Sequence, residues 1–187
     1  MEELRQEDPR AERFILVPEA ATLLIQAGHR PGTQSFQLAV VRLQRVLERE
    51  CSRMADPEKK VLICDRSTVD SLAYWLLIGG IEEEFFEVTG MTYKDLYERY
   101  DGAIQLQTAA IGALANYRRI SEGARTEDAE EAARIDGLCT RVWYRHPRFH
   151  LIENTNCVWK DKSAQTRKRL TQLIEEARMA RVSFEDR

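Results

Sequence analysis

The chain has 187 residues, 43% of them apolar and 32% charged, which is enough for one domain with a sizeable core. A net charge of -3 gives no overall attraction for nucleic acid, and the longest apolar runs fall far short of the roughly 20 residues that cross a bilayer. The four cysteines, at 51, 64, 139 and 157, contain no Cys-x-x-Cys pair and read as reduced thiols of a cytoplasmic protein rather than a disulfide framework.

Residues 1–12 are highly charged. Phe14 to Val17 then forms an apolar run closed by Pro18, the pattern of a strand buried on both faces of a parallel sheet. Glu19 follows, and Ala20 to Ile25 starts a short helix that Gly28 and Pro31-Gly32 terminate. From Phe36 to about Met54, Phe36, Ala39, Val40, Leu43, Val46, Leu47 and Cys51 recur at helical spacing, which predicts an amphipathic helix with one face on a core. Asp56-Pro57 breaks it. The run Val61 to Cys64 is a second strand, ending in Asp65-Arg66, and Ser67 with Asp70 has the spacing of a capping box for the next helix. Leu72, Trp75 and Leu76 give that helix its buried side, and Gly79-Gly80 ends it. An acidic and aromatic segment, 81–100, holds a short helix at Tyr93 to Arg99. Ala103 to Leu106 is a weaker third strand, followed by small residues from Ala109 to Ala115 and a basic stretch from Arg118 to Arg125. Thr126 is a plausible cap for a helix reaching about Tyr144, with Glu127, Asp128, Glu130 and Glu131 at its positive end. Arg148 to Ile152 is a fourth strand. Asp161 to Val182 closes the chain as a helix with Leu170, Leu173, Ile174 and Ala177 on one face. Strands alternating with helices predict an α/β fold with a parallel sheet.

In such folds ligands bind at the carboxyl ends of the strands, and three chemically able groups stand there: Glu19, Asp65-Arg66 and Asn154. A carboxylate at such an end can take a proton from a hydroxyl or hold magnesium, and an arginine fork can clamp a phosphate. The set suits phosphoryl transfer, in which positioning and charge neutralisation supply most of the catalysis. Each residue also has a structural reading, in which Asp65 and Ser67 start a helix and Arg66 bridges to Glu19 or Asp70. Arg118, Arg119 and Arg125 have the composition of a lid over a phosphate, or of a solvated loop. His146 and His150 lack a third metal ligand. The basic residues Lys160, Lys162, Arg167, Lys168 and Arg169 read as a solvated helix face, with anionic lipid or phosphate binding as the alternative.

The order Pro18-Glu19-Ala20-Ala21-Thr22, Cys64-Asp65-Arg66 with Asp70, Tyr100-Asp101 with Thr108-Ala109-Ala110, Arg125-Thr126-Glu127, His146-Pro147 and Ile152-Glu153-Asn154 with Lys160 resembles an AAA-type P-loop domain family. Relatives within it include the nucleoside-kinase-like domain of NadR and the GTP-binding proteins named for defective translocation of TRP channels. The resemblance spans about Phe14 to Arg169 and implies a three-layer P-loop fold, as one domain over residues 1–187, that binds ATP or GTP with Mg2+. Its partners would be a nucleotide and a small phosphate acceptor or a phosphoinositide. By the further similarity of Asp65-Arg66-Ser67 to the strand-end motif of deoxynucleoside kinases, Glu19 is the base, Asp65 the magnesium-side carboxylate and Arg66 the clamp. The same similarity makes Asp70, Arg118 and Arg125 substrate or lid residues and gives Asn154 to the nucleotide. The family's Gly-x-x-x-x-Gly-Lys-[Ser/Thr] loop is not found in these residues, so the fold is expected without its first strand and Walker A loop, with weak nucleotide binding and marginal stability. The function expected of the complete form is phosphoryl transfer, and the alternative is a non-catalytic GTP- or phosphoinositide-binding regulatory module.

Overall fold

A computed structural model describes residues 14–54, 61–118, 127–154 and 159–185, with no account of the side chains of 181–185. The chain divides into two compact units, at Ser71 and Leu72, and each is described by itself.

In the first unit, β1 (Phe14–Val17) runs into α1 (Ala20–Gln26), α2 (Gln34–Met54) returns the chain, and β2 (Val61–Cys64) pairs with β1 in parallel. The register sets Phe14 opposite Val61 and Val17 opposite Cys64, so both strands end at the same level. Asp65 N–H extends the ladder by donating to Val17 O at 3.1 Å. The core is Ala20, Phe36 and Val40, with Leu24, Ile25, Leu43 and Leu47 packed against it. Two expectations need correcting. Leu16 is 42% exposed, so β1 is not buried on both faces; α2 packs on the pair, and Leu16 alternates to the opposite side, as the strand period of two requires. On α2, Val46 is exposed, while Gln37, Val41, Gln44 and Glu48 are buried along one stripe. Helical spacing brings these polar residues inward with the apolar ones.

The division falls within α3 (Thr68–Leu77). Beyond it come α4 (Glu82–Thr89), α5 (Tyr93–Tyr97), β3 (Ala103–Leu106), a short 3-10 turn (Leu114–Asn116), α6 (Ala129–Trp143), β4 (Phe149–Ile152) and α7 (Trp159–Glu185). β3 and β4 are parallel, with Ala103 opposite Phe149 and Leu106 opposite Ile152, and α7 packs on both. Helix α4 arises in the acidic segment where only α5 was expected. Three glutamates in its first turn favour its positive end, and Gly90 closes it in the left-handed conformation, at φ 64°. The Trp75 indole donates to Ile81 O at 3.0 Å, and a Cβ on Gly80 would lie 2.2 Å from that indole nitrogen, so glycine is required there. Rings then connect in series, Trp75 to Phe85 at 5.7 Å, Phe86 to Tyr93 at 4.9 Å and Trp143 to Phe149 at 6.4 Å. Helix α6 is capped by Asp128, whose carboxylate accepts Glu131 N–H at 2.8 Å; Thr126, expected in that role, lies outside the described residues.

Among the described residues no helix is long and apolar enough to cross a membrane. Among the described residues Cys51, Cys64 and Cys139 form no disulfide, and Cys157 lies outside the described residues. Together the parallel strands and covering helices make the chain an α/β protein.

Candidate functional site

The loops after β1 and β2 bring Glu19, Asp65, Arg66 and Asp70 to one end of the first unit. Ser67 and Asp70 form the expected box. Asp70 Oδ2 accepts Ser67 N–H at 2.8 Å and the Ser67 hydroxyl at 2.7 Å, while Ser67 Oγ accepts Asp70 N–H at 3.2 Å. The other Asp70 oxygen stands 4.0 Å from the Arg66 guanidinium, and Arg66 Nε is 3.7 Å from Glu19 Oε1. The Arg66 fork therefore lies between two carboxylates, with 43% of its side chain still open to solvent. Such partly exposed pairs add little stability but fix where the fork points.

Arg66 is also the one non-glycine residue with positive φ, 69°, among the described residues. An L-residue there costs on the order of 1 to 3 kcal/mol, and strain of this kind collects where a side chain must be presented in a set direction. Glu19 occupies the N-cap position of α1 without using its side chain as a cap. Its Oε2 accepts the Thr22 hydroxyl and its Oε1 faces Arg66, which turns the carboxylate toward the strand end. Asp65 is exposed. Magnesium needs only one or two carboxylates beside water and phosphate oxygens, so this single exposed carboxylate fits as a donor. Among the described residues no group of three metal-ligating side chains exists.

Asn154 stands at the end of β4 in the second unit and is saturated. Its side-chain amide donates to Thr108 O at 2.6 Å and Ile111 O at 2.7 Å, and its Oδ1 accepts the Lys162 ammonium at 2.6 Å. Its backbone N–H donates to Gln107 Oε1 at 2.9 Å. Lys162 is buried and also donates to Gln107 O at 2.6 Å, contrary to the solvated placement expected for it. Asp136 completes the frame by accepting Thr108 N–H at 2.7 Å. Gly112, at φ 74°, turns the loop beneath Asn154. Arg118 is exposed, and Arg119 and Arg125 lie outside the described residues.

His146 is buried, its Nδ1 accepting Arg148 N–H at 3.2 Å and its Nε2 lying 3.0 Å from Tyr100 O. Burial lowers the pKa of His150, and Arg169 adds to the effect. The residue that composition did not signal is Gln44, buried in α2 between the two strand-end loops.

A family model described as an AAA domain matches residues 2–162. The chain belongs to the AAA domain family. No curated protein and no solved structure matches it further. This AAA chain is thus of the P-loop-related, nucleotide-binding type, a type that typically works with nucleotide and Mg2+. Its parallel strands lead to the end of the first unit where Glu19 and Arg66 meet.

Proposed function

We propose that this AAA chain is a NadR-like, kinase-type domain, cytoplasmic and single over residues 1–187, built on the three-layer parallel sheet of P-loop proteins. Its reaction is the transfer of a phosphoryl group from ATP or GTP to a small hydroxyl acceptor. The observation that carries the reading is the Glu19 carboxylate held 3.7 Å from an Arg66 guanidinium on strained backbone, at the common end of two parallel strands. Glu19 accepts the proton of the acceptor hydroxyl while that oxygen forms the new bond to phosphorus. The bond to the leaving nucleotide oxygen breaks, and Arg66 holds the transferring phosphate by its planar fork. Asp70 fixes the direction of that fork. Asp65 would hold magnesium, which supplies charge neutralisation on the phosphates when bound. Asn154 serves nucleotide binding by keeping the loop 107–111 in shape, because its own polar atoms are engaged. Arg118 and Arg125 belong to the lid in this reading.

No Gly-x-x-x-x-Gly-Lys-[Ser/Thr] segment occurs in the 187 residues, and this favours a second reading, a regulatory module that binds GTP or a phosphoinositide without turnover. Calorimetry with MgATP and MgGTP, paired with a phosphoryl-transfer assay over a nucleoside panel, separates the two. Kinase action requires turnover that Glu19→Gln lowers by about a hundredfold with phosphate affinity kept. Wild-type turnover in Glu19→Gln would sink the assignment of the base, and nucleotide or lipid binding without product would establish the module.

A further inference from the structure

We infer that Gln44 is a positioning residue for the Glu19 and Arg66 pair, a role that rests on the reading of that pair as base and phosphate clamp. Gln44 is 1% exposed and lies on the buried stripe of α2, where an uncharged polar side chain persists only if its groups are paired. Its Oε1 accepts Ala20 N–H at 3.3 Å, and its Nε2 donates to Glu48 Oε1 at 3.1 Å and to Arg66 O at 3.4 Å. The orientation of the amide is settled by chemistry, since Ala20 N can only donate and Arg66 O can only accept.

The first contact concerns Glu19. A helix start leaves its first backbone N–H groups without intrahelical partners, and Ala20 is the first residue of α1. Here Gln44 supplies an acceptor to Ala20 from another helix, and the Glu19 carboxylate makes no cap hydrogen bond. It turns instead to Thr22 and Arg66. The second contact concerns Arg66. Its carbonyl is held in the orientation that goes with φ 69°, a conformation that an arginine adopts only where its surroundings impose it. One buried amide therefore ties the residue after Glu19 to the strained residue that carries the guanidinium, across 24 and 22 residues of chain respectively.

The test is Gln44→Met, which keeps length and removes all three side-chain hydrogen bonds, those to Ala20 and Arg66 among them, followed by NMR in the full chain. Hydrogen exchange at Ala20 is expected to quicken by about tenfold, the value of one net hydrogen bond. Arg66 Cα and Cβ shifts are expected to leave the left-handed range, while the shifts of α2 hold. Where the methionine variant loses its helical circular dichroism, Gln44→Asn takes its place, since it keeps the polarity but falls one methylene short of Ala20 and Arg66. Unchanged Ala20 exchange and Arg66 shifts in a folded variant would overturn the inference. In a wild-type protein that turns over, the variant is also expected to lose kcat with KM for nucleotide kept. Absence of wild-type turnover counts against the kinase reading alone, because exchange and shifts still decide what Gln44 holds.

Discussion

The two polar clusters sit at equivalent places, each at the carboxyl end of a parallel strand pair, yet their chemistry is opposite. Around Asn154, each side-chain polar atom is matched to a backbone group or to the Lys162 ammonium, and the lysine is buried. Around Glu19 and Arg66 the ion pairs are long, at 3.7 and 4.0 Å, the guanidinium is partly exposed, and the backbone is strained. A buried, saturated cluster holds a loop in place, whereas a partly exposed one presents its charged groups to solvent. Strand-end position alone therefore does not mark a site; charged groups that stay open to solvent on strained backbone there do.

The contrast is most open to attack at Lys162. Lys162→Met leaves Asn154 Oδ1 without its charged donor, and urea unfolding is expected to show a loss of about 2 to 3 kcal/mol. A change within about 0.5 kcal/mol would mean that the cluster is no structural clamp and would return Asn154 to direct ligand contact.

Arg66→Gly tests the other side. Glycine adopts positive φ without steric penalty, and the exposed ion pairs lost are worth little, so stability is expected to rise by about 1 kcal/mol. Phosphate or nucleotide binding should fall in the same protein. A variant that is both less stable and equally able to bind would show that Arg66 is there for structure.

The smallest effect concerns pH. Burial and Arg169 push the folded-state pKa of His150 below the ordinary 6.5, with Glu176 opposing and His146 adding slightly. The unfolded chain then binds more protons as pH falls from about 6.5 toward the folded value, so this stability is present above that range and is lost on descending through it. His150→Phe is expected to flatten the pH dependence of the melting temperature in that window. An unchanged slope would assign it to other groups.

Much of this was legible because local signals agreed. The apolar runs at 14–17, 61–64 and 149–152 became strands, and Ser67 with Asp70 became the capping box that their spacing announced. The pairing of Arg66 with Glu19 and Asp70 was also among the expectations, on the ground of charge alone. Lys162 was misplaced because a lysine among basic neighbours looks solvated in sequence. Its burial depends on carbonyls at 107 and an amide at 154, which only the packed loop supplies. Gln44 gave no signal for a related reason. In the helix pattern it is a polar residue between apolar ones, and nothing local tells that it faces inward.

By itself the sequence determined the alternation of strands and helices, the caps, and the acids and arginine at strand ends, because these depend on residues within a few positions of one another. Tertiary structure decided which of those groups are buried in a saturated network and which stay open to solvent. Hydrogen-bond satisfaction joins residues dozens of positions apart, as from Gln44 to Ala20 and from Lys162 to Gln107, and no periodicity records it.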